Sequence, residues 1–104
     1  MTANQFPYAG KSFVIKMNNG LEVKNSYLKD GKQLEVEFLS GDLLGTKMVV
    51  TFTWKALPSD NYLISWQESD KSTVVHCDNF IQKKSLAYYT TMKGDFFVME
   101  GVIK

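Results

Sequence analysis

The sequence predicts an all-β protein, an eight-stranded antiparallel up-and-down barrel, and three observations carry that prediction. Apolar and polar residues alternate with a period of two along most of the chain, as strands require. Turn signals recur at intervals of about 12 residues, the rhythm of consecutive hairpin strands. No window of useful length shows the three- and four-residue apolar spacing of a helix. The one place for a helical turn is the loop around Asp42–Gly45.

Taken in order, residues 1–10 (MTANQFPYAG) read as a loose N-terminal arm whose Phe6, Pro7 and Tyr8 are able to pack onto the body. Residues 11–104 form one barrel domain. Its turns fall at Asn18-Asn19-Gly20, Asp30-Gly31, Ser40-Gly41-Asp42, Ser59-Asp60-Asn61, Ser69-Asp70, Gln82-Lys83 and Lys93-Gly94-Asp95. Asn-Gly and Asp-Gly tolerate the positive φ angles of tight hairpins. These turns delimit strands at about 11–17, 21–29, 32–39, 46–55, 61–68, 72–79, 84–92 and 95–103. Phe13/Ile15/Met17, Leu21/Val23, Leu34/Val36/Phe38, Met48/Val50/Phe52/Trp54 and Phe97/Met99/Ile103 make one apolar face. Lys16, Glu22, Lys24, Glu35, Glu37, Thr51, Thr53 and Lys55 make the polar one.

Eight short strands with one apolar face must bury that face. Rolling into a barrel does so and removes both free edges. A two-sheet sandwich needs longer crossings than these turns allow. An eight-stranded barrel is just wide enough to be filled by its own side chains or to hold one small ligand. Any site is therefore expected inside the barrel or at its mouth.

Composition narrows the functional classes. A chain of 104 residues supports one self-sufficient core. Its 44% hydrophobic and 22% charged residues are ordinary for a globular domain. A net charge of +1 steers it toward neither nucleic acid nor acidic membranes. All 12 basic residues are lysines, so the guanidinium fork that clamps phosphate and reads guanine is missing. No apolar run reaches bilayer length and no secretory signal stands at the N-terminus. The single cysteine, Cys77, fits a reducing compartment. A cytoplasmic protein without nucleic-acid or membrane partners is the expectation.

The unusual chemistry lies in one predicted hairpin, Asn61–Phe80, which carries Trp66, Glu68, His76, Cys77 and Asp78. Trp66 and Trp54 are core residues or walls on which a ligand stacks. Glu68 shares the Trp66 side of its strand, and is either a polar contact at the rim or a solvated residue beside the turn. His76, the one histidine, faces inward with Val74 and Asp78 or outward while Val75 and Cys77 face in. Cys77 reads as a small buried hydrophobe. His76, Cys77 and Asp78 are adjacent, so strand alternation sends neighbours to opposite faces and no metal site is expected. Tyr27 and Tyr88 are expected as inward hydroxyls in need of a partner. No phosphate loop, nucleophile elbow or zinc spacing is present, and no cofactor is expected.

The run YLISWQES (62–69), the run STVVHCDNF (72–80) and the closing glycine of MEGVIK (99–104) resemble the MoaF-like family. The stretch GKSFVIKMNNGLEVKNSYLKDGKQL (10–34) is similar to that family's opening hairpins. The resemblance covers nearly the whole chain and implies a lipocalin-like (calycin) barrel, linked only by name to molybdenum-cofactor genes. The architecture is also similar to that of phenolic acid decarboxylases, whose tyrosine, arginine and glutamate set is incomplete here for want of arginine. No catalytic residues are carried over from either resemblance.

The expected function is binding of a small apolar or aromatic molecule by Trp54, Trp66, Glu68, His76, Tyr27 and Tyr88. The alternative is a small lyase or isomerase using Glu68, His76 or a tyrosine as general acid or base. Strand eight is apolar on both faces, with Phe96, Val98 and Val102 outward beside Val14 of strand one. Such a patch calls for a cover, either the arm through Phe6 and Tyr8 or a second copy in a homodimer through strands one and eight.

Overall fold

Alternation becomes strand wherever a turn residue releases the chain to reverse. The computed structural model describes residues 5–104. Its strands are β1 (Ser12–Met17), β2 (Glu22–Tyr27), β3 (Gln33–Phe38), β4 (Lys47–Leu57), β5 (Asn61–Gln67), β6 (Thr73–Asn79), β7 (Lys84–Thr90) and β8 (Phe96–Ile103). Each agrees with the sequence expectation to within two residues. Gly20 (φ +92°) and Gly94 (φ +90°) hold the left-handed conformation that the first and last hairpins need. The Asp42–Gly45 loop closes with turn bonds, Leu44 N to Gly41 O and Thr46 N to Leu43 O, and forms no helix. No helix among the described residues is long and apolar enough to cross a membrane.

The strands form a closed barrel in sequence order, β1 through β8, with β8 returning antiparallel to β1. That closing seam pairs Ile15 with Ile103, Lys16 with Val102 and Met17 with Gly101. Gly101 is there for space. A Cβ on it would lie 2.7 Å from Met17 Sδ and 2.9 Å from the Lys16 carbonyl oxygen. Glycine inside a strand marks such a close approach.

One end of the barrel is sealed by the chain's own N-terminal segment. Phe6 is 2% exposed, with its ring centroid 4.8 Å from Tyr27, 5.2 Å from Phe52 and 5.3 Å from Trp54. Tyr8 follows it, 4.3 Å from Phe80 and 5.7 Å from Tyr62. Gly10 N donates to the Tyr27 carbonyl at 2.8 Å, which ties the segment to the end of β2. Most of these aromatic contacts are edge-to-face or tilted, the favourable geometries for rings. The described part of the arm is thus a plug and not a loose tail. Residues 1–4 of the predicted arm lie outside the described residues.

The plug settles one question about the outer wall. Phe96, Val98 and Val102 of β8 are 61%, 53% and 58% exposed, and Leu86 and Tyr88 of β7 join them. Because Phe6 is spent inside the barrel and Tyr8 packs on Phe80, neither aromatic of the arm covers this patch.

Candidate ligand cavity

The other end of the barrel is where the polar residues gather. β5 runs Ile64, Trp66 inward, and Glu68 continues that phase just beyond the strand. A turn fixes Glu68 at the rim: its N donates to Ser72 O at 2.8 Å and its O accepts from Lys71 N at 2.9 Å. The β5–β6 register sets Ile64 opposite His76 and Trp66 opposite Val74. That register turns Val74, His76 and Asp78 inward, which resolves the two orientations open to His76. Cys77, on the other phase, is only partly buried, correcting its reading as a buried hydrophobe. Burial, then the Asp78 charge, raises its thiol pKa.

β7 supplies the space. It reverses the usual pattern, with small Ser85 and Ala87 inside and larger Leu86 and Tyr88 outside. The reason is the partner strand: Ser85 sits opposite Asp78, and Ala87 opposite His76. Bulky inward residues there would collide with the imidazole and the carboxyl. The next inward residue, Tyr89, reaches the rim and donates its hydroxyl to Glu68 Oε1 at 3.3 Å. Trp66 Nε1 donates to Glu68 Oε2 at 3.5 Å. Burial raises the Glu68 pKa, opposed by these two hydrogen bonds. The Tyr89 pKa is likewise raised, chiefly by burial.

Together these groups enclose a cavity of about 60 Å³ lined by Met17, Leu21, Val23, Asn25, Val36, Phe38, Trp66, Glu68, Val74, His76, Ala87, Tyr89 and Met99. Outside it lies a wider basin of about 380 Å³ that shares Leu21, Phe38, Glu68, Tyr89 and Met99 with it. Beneath the cavity, His76 Nδ1 lies 3.3 Å from Asp78 Oδ1. Ser85 donates a short hydrogen bond to that same oxygen. The His76 ring stacks at a tilt on Trp66, centroids 5.2 Å apart. With Nδ1 committed to the carboxylate, Nε2 is the nitrogen left for the cavity.

The candidate residues read from the sequence therefore divide. Trp66, Glu68 and His76 line one cavity. Trp54 and Tyr27 belong to the sealed end, packed on Phe6. Tyr88 is not inward: it is 45% exposed on the outer wall, and its neighbour Tyr89 holds the inward position. Asn25, Asp78 and Ser85 did not emerge as site residues from the sequence. Asn25 carried a signal, because Val23, Asn25 and Tyr27 alternate with charged and polar residues and so share the apolar face.

Asn25 stands out among the buried polar side chains. It is 1% exposed, and both its amide nitrogen and its amide oxygen lack a hydrogen-bond partner among the described residues, whereas Tyr27, Ser72 and Asp78 each leave one atom unpaired. A buried polar group left unpaired costs about 1–3 kcal/mol. Asn25→Leu should therefore raise stability toward denaturant by about 1–2 kcal/mol, with the slope of the transition unchanged. A loss of stability would mean that the amide is paired in solution.

The fold and the half-open interior define a small up-and-down β-barrel with a cavity beneath one mouth. A scan against family models matches MoaF-like over residues 9–104, and the chain belongs to that family. It is similar to a crystal structure from Burkholderia vietnamiensis described as that of a "putative beta-lactamase". The two share 34% sequence identity over 97% of each chain, with a TM-score of 0.93. A search of curated proteins finds no match.

Proposed function

We propose that the protein binds a small, slender apolar or aromatic molecule in the cavity beneath its open mouth. The supporting observation is the asymmetry of the interior. One end is filled by Phe6 and its aromatic neighbours, while the other is hollow and carries Trp66, Glu68 and His76 on its wall. A mostly apolar chamber with a few placed polar groups is the usual make-up of a small-molecule site. The chamber of about 60 Å³ admits a head or a chain, and the basin above takes the rest.

A second reading, general acid–base catalysis, draws on Glu68 and His76 lining the same cavity. They flank the Trp66 indole, which hydrogen-bonds one and stacks on the other, so they do not present a single converging pair. The description of the Burkholderia protein finds no support in the cavity lining. No serine or cysteine lines it, Ser85 is bonded to Asp78 below it, and Cys77 faces away.

Fluorescence tests the binding reading. In a Trp54→Phe background, Trp66 is the remaining indole and lies on the cavity wall. Titration with 1-hexanol or toluene should change its emission saturably. Ala87→Leu, which crowds the cavity opposite His76 at an overpacking cost of about 1–3 kcal/mol, should abolish the change, with thermal melting confirming that the variant still folds. No saturable change with either probe overturns the proposal. Chemical conversion of a bound molecule during the titration would favour the acid–base reading.

We also infer that two copies associate through strands one and eight, the patch extended by Leu86 and Tyr88 of β7, since Phe6 and Tyr8 are occupied elsewhere. Light scattering should give twice the chain mass for the wild type and the chain mass for Phe96→Lys. A wild type that remains monomeric at high micromolar concentration ends this inference.

A further inference from the structure

Resting on that binding site, we infer the chemical class of its ligand: an unbranched chain ending in an uncharged carboxamide, inserted amide first against Asn25. The argument begins with what Asn25 lacks. Both its Nδ2 and its Oδ1 are buried on the cavity wall without partners among the described residues. A side-chain amide offers donors on one side and an acceptor on the other. Another amide satisfies both at once, its carbonyl accepting from Nδ2 while its N–H donates to Oδ1; a carboxylic acid does so only when protonated, and it is ionised at neutral pH. A ketone, ether or ester supplies only the first of these bonds, and a hydrocarbon supplies neither.

His76 extends the match. Its Nδ1 is engaged by Asp78, and where that carboxylate accepts the Nδ1 proton, Nε2 is an acceptor. A primary amide has a second N–H to give it. Charge points the same way. Asp78 lies directly behind His76 with Oδ2 unpaired, and Glu68 stands at the rim. Two carboxyl groups around one narrow chamber disfavour a carboxylate ligand. The Asp78 Oδ2 atom is not among the cavity-lining groups in reach of an incoming cation, since Asp78 lies beneath the lining.

Shape sets the body of the ligand. Leu21 at the rim and Asn25 on the wall are four residues apart along the chain, so the cavity lining reaches from the mouth into the interior. A volume of about 60 Å³ lined at both of these levels is narrow. It fits an alkyl chain better than a ring, with Val23, Val36, Val74 and Met99 as its apolar sides.

The test compares isosteres on the Trp54→Phe protein by Trp66 fluorescence. Hexanamide and 2-heptanone differ only in an NH2 group where the ketone carries CH3. Hexanamide should bind about tenfold more tightly, because the ketone leaves Asn25 Oδ1 buried and unpaired. In Asn25→Leu the order should reverse, with 2-heptanone the better ligand; thermal melting of that variant confirms its fold. Equal affinities for the two probes in the parent overturn the amide assignment while leaving the binding proposal standing. Hexanoate binding more tightly than hexanamide overturns it in favour of an anion held by His76. Failure of every probe to bind removes the binding site itself.

Discussion

Phe6→Ala should destabilise the protein by about 3–5 kcal/mol, the range for removing a buried phenyl from a core that cannot collapse around the gap. For a domain of this size that corresponds to a fall in melting temperature of at least about 12 °C. The expectation follows from the neighbours of Phe6. Tyr8, Tyr27, Phe52, Trp54 and Tyr62 surround its ring, and four of them belong to strands that cannot move inward without breaking the barrel. Near-ultraviolet circular dichroism should lose intensity as this cluster loosens. Phe6→Leu should recover most of the stability. If Phe6→Ala melts with the wild type, the N-terminal segment does not plug the barrel in solution.

Gly101→Val should be nearly as costly, at about 3 kcal/mol, the upper part of the range for forcing atoms into filled space. The conflict is with backbone as well as side chain. The Lys16 carbonyl oxygen, 2.9 Å from the position of a Cβ, is fixed by the strand ladder and cannot swing aside as Met17 can. Gly101→Ala should show a smaller loss of the same sign, read as the denaturant midpoint. Met17→Ala removes a buried side chain and costs about 2–5 kcal/mol on its own, so the comparison is a cycle: in that background the further loss from Gly101→Ala should shrink only in part, since the carbonyl contact stays. A further loss of zero would show that the side chain, and not the strand approach, required the glycine.

The fold was almost wholly legible in the chain, because period-two alternation and Gly- or Asp-bearing turns specify strand, face and reversal locally. The site was legible only where alternation was unambiguous. That Trp66 and Glu68 share one side follows from the phase of β5, while whether that side is the interior is settled only by the neighbouring strands. Tyr88 was placed wrongly because β7 puts its larger residues outward, a choice dictated by Asp78 and His76 on the neighbouring strand. No local pattern reports that. That Phe6 and Tyr8 can pack onto the body is legible in the arm of residues 1–10, but the place is not: the arm carries no periodicity, and the aromatic box that receives Phe6 is assembled from β2, β4 and β5.

The seam between β1 and β8 has a kinetic side. Seven of the strand pairings join neighbours through short turns and can zip up locally, whereas the eighth brings Ile15 against Ile103 across almost the whole chain. Contacts of such long sequence separation pay their loop-closure entropy before they are rewarded, which slows folding. Opening at this seam would leave a curled meander with two bare edges. Each edge is a template for a strand of another molecule. Refolding at high concentration should therefore set closure of this seam in competition with strand exchange.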